Sequence, residues 1–275
     1  LSPVKEVAQI GACIGREFSH ELLAAVSPLR DNELQDSLTQ LSNSELIFRR
    51  GNPPDAIYTF KHALVQDTAY ESLLKSRRQQ LHTTIASTLE ENFPDVVAAE
   101  PELVAQHYIG AGLIAKAIPF LVAAGERDVA RFANTEAIHH LELGLNLLKG
   151  LPADAERDHM EIPLQTALGM AVMTAKGFSA PDAEAAFSRG RALCEQVGES
   201  PYQFPIMVGL FYYHAFCAEW TLTEHPGEQV LALARKDNND GGQMLGLWIL
   251  STTALFRGRF EQGLSQAKSA ALLYD

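Results

Sequence analysis

A histidine at the junction between a short strand and a helix is the residue best placed to do chemistry. The run from Ile57 to Phe60 has the β-branched and aromatic character of a strand, and a helical pattern begins at His62. The N–H groups that begin a helix have no partner within it and favour phosphate, and an imidazole beside them adds a donor. His62 therefore either meets an anionic group or only caps the helix and packs on the neighbouring hairpin.

Clustered basic side chains form a second candidate set. Arg49 and Arg50 belong to a predicted hairpin, and Lys75, Arg77 and Arg78 separate two amphipathic segments. Such charges are commonly solvated at a helix or hairpin end. The alternative is that these five side chains make electrostatic contacts with another domain.

Aromatic residues in the second half of the chain form a third set. Their spacing places most of them in a hydrophobic core, but some repeat positions could instead face a concave groove. There they would supply rigid contact area for a peptide, a protein or a partner helix. The candidates for this groove are Tyr108, Tyr212, Phe216, Trp248 and Thr252.

The sequence gives no support for a catalytic, metal or cofactor site. We find no GxSxG or HExxH motif, no GxxxxGK[ST] phosphate loop and no legible Ser/His/Asp or Cys/His set. Cys13, Cys194 and Cys217 are far apart in apolar helical patterns, which is typical of small buried residues in a reducing compartment. His139 and His140 point about 100° apart on a helix and cannot both bind one metal well. We therefore expect a chain that is not an enzyme.

Composition restricts the classes of partner. The 275 residues carry 22 basic and 34 acidic side chains, and the first 95 residues (9 basic, 13 acidic) are no more basic than the rest. Strong nonspecific binding to nucleic acid is therefore unlikely on electrostatic grounds. No apolar run reaches the length of a membrane span, and the first residues do not resemble a signal peptide. We expect a cytoplasmic protein.

The first part of the chain has the element order of a winged helix. Gly15 is predicted to end the first helix, Ser19 to cap the second and Asp31 to cap the third. A turn rich in Gly and Pro joins predicted strands at Leu46–Arg50 and Ala56–Phe60. A helix after His62 is expected to continue this domain to residue 95. Its predicted buried stripe consists of Leu64, Thr68, Leu73 and Leu74, followed in the next segment by Leu81, Ile85 and Leu89.

Winged helices often bind DNA through the third helix, so this possibility needs testing against the charges. The third helix here carries Asp31, Glu33 and Asp36 on its solvent side and no Lys or Arg. Those carboxylates would repel the phosphate backbone. Only Arg49 and Arg50 favour DNA binding, so recognition of DNA remains a minor alternative.

From residue 96 onward the pattern is one of repeated helical hairpins. A small, a large and a small residue recur at offsets 0, 4 and 7, as expected where two helices approach closely. Polar segments at 152–158 and 237–242 are predicted loops, and Pro226 is expected to kink or delay the helix that begins near Thr223. The triplets are Ala117/Leu121/Ala124, Ala137/Leu141/Gly144, Ala183/Phe187/Gly190 and Gly263/Ala267/Ala270.

These hairpins resemble tetratricopeptide repeats. The best match is ALFRGRFEQGLSQAKSAALLYD, in which Gly258, Phe260, Gly263, Ala267 and Ala270 fall on the motif positions. The resemblance implies a mainly α fold: a right-handed tetratricopeptide-like α-superhelix over 96–275, preceded by a small winged-helix-like domain with one β-hairpin over 1–95. No polar capping helix closes the last hairpin, so we expect a piece of a longer protein.

The whole chain is also similar to the segment that follows the nucleotide-binding domain in STAND-type signalling ATPases. The most similar group is bacterial and carries a class III adenylate cyclase domain before the ATPase and a tetratricopeptide tail. The stretches that carry this resemblance are IGREF (14–18), FKHALVQDTAYESLLKSRR (60–78), LH (81–82) and KGFSAPDAEAAFSRGRALCEQVG (176–198).

The resemblance implies a regulatory role without catalysis in this chain. In that group a His at the end of the winged helix contacts the β-phosphate of ADP, and His62 matches its position, although Ala63 replaces the acidic residue of the motif. ADP or ATP would bind to an upstream nucleotide-binding domain of the same polypeptide, which the basic residues would contact. The partner sensed in the groove would be a protein, a peptide or a small ligand. The alternatives are an arm of a transcriptional regulator and a passive scaffold.

Overall fold

Residues 2–273 are described by a computed structural model, in which the chain divides into two compact units, Leu1–Phe120 and Leu121–Asp275. The helix α8 (Ile114–Ala130) includes the boundary. The first unit contains α1 (Pro3–Ile14), β1 (Glu17–Ser19), α2 (His20–Val26), α3 (Asp31–Asn43), β2 (Ile47–Arg50), β3 (Ile57–Phe60), α4 (Ala63–Glu71), α5 (Lys75–Asn92), α6 (Pro94–Ala99) and α7 (Pro101–Ala111). The second contains α9 (Asn134–Leu148), α10 (Ala155–Lys176), α11 (Pro181–Val197), α12 (Gln203–Phe216), α13 (Glu224–Lys236), α14 (Asp240–Phe256) and α15 (Phe260–Ala271).

The helix boundaries of the first unit follow the capping residues closely. Gly15 ends α1, and the Ser19 side chain accepts a hydrogen bond of 3.1 Å from the backbone N–H of Leu22 at the start of α2. The predicted cap of the third helix is one residue off, because Arg30 holds the cap position and Asp31 is already helical. The carboxylate of Glu33 accepts from the Arg30 backbone N–H instead.

The sheet has three strands rather than the predicted two. It is antiparallel with the order β1-β3-β2, so β3 lies in the centre. Tyr58 and Phe60 of β3 are fully buried, and Phe18 of β1 packs against both rings with centroid distances of 5.7 and 5.6 Å. The sequence did not reveal β1 because three residues are too short to show a period-two pattern.

The stripe predicted for the helix after His62 is wrong at three of its four positions. Leu64 is 74% exposed, Leu74 is 77% exposed and Thr68 is exposed, whereas Leu73 is buried. The helix α4 stops at Glu71, so one helical period does not continue into the next segment. By contrast, Leu81, Ile85 and Leu89 of α5 are buried as predicted.

The first compact unit continues beyond residue 95, the boundary predicted from the sequence. The helix α7 packs against α5, and α6 lies beside both of them. The buried face of α7 includes Val104, Ala105 and Tyr108. These contacts join α7 to the unit that carries the sheet.

The second unit is a stack of helices in which each packs against the next along the chain. At several interfaces between neighbouring helices, which we call seams, a large side chain packs against a glycine. Phe187 of α11 lies between Gly169 of α10 and Gly209 of α12, and a Cβ added to Gly169 would come within 2.6 Å of the Phe187 ring. The Gly209 backbone approaches the same ring from the other side. Equivalent pairs are Leu141 with Gly125, Leu164 with Gly144, and Ile249 with Gly227.

These seams confirm the predicted fold class, which is mainly α with tetratricopeptide-like helix pairs. The first three small-large-small triplets are buried throughout. The fourth is only partly correct: Gly263 is buried, but the middle residue Ala267 is small and exposed.

The loops predicted in the second unit are too long, because helices begin within them. Asp154 and Asn239 cap α10 and α14 with their side chains, so helix begins inside both polar segments. The helix α13 begins at Glu224, just after Thr223, with Pro226 in its first turn. Proline is tolerated in the first turn, so Pro226 does not delay the helix as predicted.

Candidate functional site

The start of α4 is an exposed, polar junction directly after the central strand. His62 is the residue before the helix, in an extended conformation, and its side chain makes no capping bond to the helix. Both His62 and Leu64 are exposed. Beside this junction, Lys61 forms an ion pair with Glu45 and lies 5.5 Å from the centre of the Phe48 ring. The first N–H groups of α4 and the imidazole are therefore open to a ligand from outside the unit.

The five basic candidates differ in how closely they contact the rest of their own unit. Arg49 and Lys75 are exposed, and Arg50 is a loose neighbour of Glu17 at 3.9 Å. Arg77 pairs with Glu6 of α1 at 3.4 Å. The Arg78 guanidinium lies 4.2 Å from the centre of the Tyr70 ring and donates to the Leu73 carbonyl. Arg77 and Arg78 thus make contacts within their own unit.

A buried chain of polar side chains links α4, α5 and α7, and the sequence reasoning missed it. The Tyr70 hydroxyl lies 2.9 Å from Nε2 of His82, and Nδ1 of His82 lies 2.9 Å from Nδ1 of His107. A Cβ on Gly110 would come within 2.8 Å of the His82 ring. The only hint in the sequence was the position of His82 on the buried face of α5, because its partner lies 25 residues away.

Both histidines of this chain are held neutral. Burial lowers the pKa of His82, and the nearby Arg78 cation lowers it further. Burial also lowers the pKa of His107 to about 3, with His82 as a second cause. One imidazole must donate to the other, since both rings are uncharged. Among the described residues, Nε2 of His107 has no hydrogen-bond partner.

An exposed aromatic surface lies on the second unit and is formed by Phe178, Tyr212 and Phe216. Phe178 stacks on Phe216 with a centroid distance of 4.7 Å and an angle of 18°, and it lies 5.4 Å from Tyr212. Phe216 is 62% exposed. The sequence singled out Tyr212 and Phe216 but not Phe178, which precedes α11 in a loop. Three aromatic rings are thus held in fixed positions at the surface.

The other groove candidates have different surroundings. Trp248 is 46% exposed and meets Phe211 edge-on at 5.6 Å, and Thr252 is half-buried. Tyr108 does not fit the expected groove, because it is 3% exposed and its hydroxyl is hydrogen-bonded to Glu90. It belongs to the core of the first unit.

A polar cavity of about 680 Å³ lies among α9, α10 and α11. Arg189 binds Glu161 with two hydrogen bonds of 2.7 and 3.0 Å, which hold the pKa of Glu161 below its usual range. Elsewhere in this unit, the buried Asp128 accepts hydrogen bonds from Arg127 and lies 3.0 Å from Nδ1 of His140. These groups hold neighbouring turns and helices together.

Within residues 2–273, no cluster of three His, Cys, Asp or Glu side chains has the geometry of a metal site. Burial raises the pKa of the Cys13 thiol to about 12, which keeps it protonated. No helix in the same range combines the length and apolar character that a bilayer crossing requires.

Comparison with known proteins gives distant likenesses. No protein-family model matches the chain. An uncharacterized protein of Rhizobium meliloti (strain 1021) is 27% identical over 212 residues, which cover 76% of this chain and 21% of that protein. The chain therefore spans about a fifth of that relative's length. A solved structure of a STAND protein with a tetratricopeptide repeat sensor from Pyrococcus horikoshii covers 99% of this chain and 44% of its own, with 12% identity and a TM-score of 0.47.

Proposed function

We propose that this chain is the non-catalytic sensor and relay segment of a bacterial signal-transduction ATPase of the STAND type. The helical stack binds a protein or peptide, and the first unit, a winged-helix-like domain with its connecting helices, relays that binding to an upstream nucleotide-binding domain. An adenylate cyclase domain in the same polypeptide is the proposed output.

The observation that carries this proposal is the exposed aromatic surface. In the stack, Phe187 and Phe211 are enclosed, at no more than 1% exposure. Phe216 instead exposes 62% of its surface while it is held by Phe178 and Tyr212. Rigid aromatic groups of this kind lose little conformational entropy on binding and dominate the energetics of many interfaces.

The proposed relay depends on the junction at His62. An upstream nucleotide-binding domain would present the β-phosphate of ADP to the first N–H groups of α4, and the His62 imidazole would donate a hydrogen bond to it. Arg49, Arg50 and Lys75 are the exposed cations that would contact this domain. The ADP-bound form would be the inactive state.

Partner binding is tested by site-specific photocrosslinking. A benzoylphenylalanine residue is placed at position 216 of the natural polypeptide in its own cells, and a second variant carries it at position 132, where Phe132 is 82% exposed. We expect a discrete crosslinked partner from position 216, and its loss when Tyr212→Ser is added. Equal crosslinking from both positions, or none from position 216, would contradict a binding role.

The relay is tested by release of a fluorescent ADP analogue from the natural polypeptide. We expect His62→Ala to accelerate release about 10-fold, the effect of losing one charge-assisted or phosphate hydrogen bond. His139→Ala is the control. ADP release and basal output that are unchanged in His62→Ala would remove the relay from the proposal while leaving partner binding to the crosslinking result.

A further inference from the structure

The polar cavity among α9, α10 and α11 contains one charged pair that is structural. Arg189 of α11 binds Glu161 of α10 through Nε and a terminal nitrogen, and Gln165 donates a further hydrogen bond to the same carboxylate. The oxygens of Glu161 are thus occupied by protein groups. The volume of the cavity, about 680 Å³, is in the range of small-molecule binding sites.

Arg157, which also lines the cavity, presents the same donor edge without a matching carboxylate. Its Nε is enclosed and has no hydrogen-bond partner among residues 2–273. One of its terminal nitrogens lies 3.5 Å from Asp158, which is longer than a strong hydrogen bond. An enclosed donor without an acceptor costs free energy. A turn of the guanidinium towards the cavity would let a ligand carboxylate bind this edge as Glu161 binds Arg189.

A second cation lies at the same end of the cavity. Lys149 comes directly after α9, and Arg157 is in the first turn of α10, so a short loop joins the two positions. The Lys149 ammonium is exposed and donates to the neutral amide oxygen of Asn146 at 2.7 Å, which leaves its charge uncompensated by that contact. Two cations at one end favour an anionic group, even though the chain as a whole carries a net charge of −12.

A carboxylate marks the other end of the cavity. Glu142 is exposed and precedes Lys149 by seven residues on the same side of α9, which corresponds to about 10 Å of helix rise. The nearby Lys176 is already paired with Asp182 at 2.6 Å. Leu145, which is half-buried, lines the cavity between the two charged positions of α9. The cavity therefore has a cationic end, an apolar middle and an anionic end.

We propose that this cavity binds an unmodified linear peptide of about three residues, a zwitterion with one charge at each end. Its C-terminal carboxylate binds the donor edge of Arg157 beside Lys149, and its N-terminal ammonium lies against Glu142. An extended chain covers about 3.3–3.6 Å per residue, so three residues span the distance between the two ends. A single amino acid is too short to reach both. Leu145 contacts an apolar central side chain.

The same charges exclude other small anions. Glu142 repels a second negative group at its end of the cavity, so a ligand that is anionic throughout binds less well than a zwitterion. The cavity shares no lining residue with the exposed aromatic surface. A free peptide is therefore a second input to this segment, in addition to the protein or peptide partner proposed for that surface.

Isothermal titration calorimetry of the chain with the tripeptide Ala-Leu-Ala tests the proposal. We expect saturable binding with a Kd below about 1 mM. Conversion of the peptide carboxylate to an amide should weaken binding about 10-fold or more, and acetylation of its amine about five-fold. Alanine and inorganic phosphate each reach only one end, and they should bind more weakly than the tripeptide by about five-fold or more.

Two variants assign each end of the peptide to its partner. Arg157→Gln should remove the difference in affinity between the tripeptide and its amide, and Glu142→Gln should remove the difference between the tripeptide and its acetylated form. Arg191→Gln is the matched control, because Arg191 lies outside the cavity with Glu195 at 3.8 Å on the surface of α11. Far-UV circular dichroism checks that all three variants are folded.

Three outcomes would overturn the proposal. The first is no saturable binding of Ala-Leu-Ala at millimolar concentration, and the second is equal affinity for the tripeptide and for phosphate. The third is tripeptide binding that Arg157→Gln and Glu142→Gln both leave unchanged, since the ligand would then lie elsewhere. These results are independent of crosslinking from position 216, which tests the aromatic surface alone.

Discussion

The helices α11 and α15 were assigned the same repeat position in the sequence and have opposite surroundings. In α11, Phe187 is enclosed between two glycine backbones, whereas in α15 the corresponding Ala267 is open to solvent beside Phe260 and Leu264. In α11, the helices α10 and α12 both pack against this position. The same repeat position is therefore enclosed in α11 and exposed in α15.

Removal of the enclosed ring is expected to have the largest effect. Phe187→Ala leaves a cavity between α10, α11 and α12 and should lower the free energy of unfolding by about 3–5 kcal/mol. Phe216→Ala, at an exposed position of the next helix, should lower it by no more than about 1 kcal/mol. Urea denaturation followed by far-UV circular dichroism measures both. Similar losses of unfolding free energy in the two variants would mean that the contribution of an aromatic ring to stability does not depend on its burial.

Filling the seam from the glycine side is the complementary experiment. Gly209→Ala forces a Cβ against the Phe187 ring and should cost about 1–3 kcal/mol through overpacking, even though alanine favours helix. Gly241→Ala, whose Cβ would find ordinary contact distances, should be neutral or slightly stabilising. The same denaturation assay compares them. Equal stability of the two variants would argue against close packing at Gly209.

The first unit offers the same contrast between buried and exposed histidines. His82 and His107 are neutral when folded because burial lowers the pKa of each, whereas both bind protons near pH 6.5 when unfolded. The unfolded state therefore binds more protons below pH 6.5, and stability falls as the pH drops from about 6.5 towards 3. At pH 5 the loss from His107 is expected to be about 2 kcal/mol.

The measurement is the pH dependence of unfolding for the chain and for His107→Gln and His62→Gln. His107→Gln should flatten the acid limb of the stability profile. His62→Gln should leave that limb intact, because His62 is exposed. An unchanged limb in His107→Gln would show that the buried pair does not govern acid sensitivity.

Removal of an ion pair should have the smallest effect on stability, and that effect should also depend on burial. Glu161→Gln disrupts the half-buried fork with Arg189 and should cost about 1 kcal/mol. Glu195→Gln, whose carboxylate lies 3.8 Å from Arg191 on the surface of the same helix, should cost almost nothing. Thermal unfolding at low and high salt separates the two. A larger loss from Glu195→Gln would reverse the expected order.

Local signals in the sequence predicted much of the fold because they act over a few residues. Gly15 ends a helix and Ser19 caps one, and both do so through contacts with their own turn. The small-large-small triplets identified the seams. Prediction failed for the stripe at Leu64 and Leu74, because periodicity shows that a helix has an apolar side but not whether another element covers it.

The candidate site was only partly accessible to the same reasoning. His62 could be placed at a strand–helix junction from the neighbouring residues, and its nucleotide-sensing role stays a prediction. The pairing of His82 with His107 could not be inferred, since it depends on α5 and α7 approaching across 25 residues of chain. Phe178 was missed for a similar reason, because its partners belong to a different helix.

By itself, the sequence determined a mainly helical chain with glycine and alanine at its seams, a small sheet near its start and a polar histidine before α4. Only the tertiary structure decided which apolar residues are enclosed: Phe187 between two backbones, and Phe216 and Phe260 in solvent. The physical reason is that hydrophobic free energy depends on the area removed from water, and that area is set by neighbours distant in the chain.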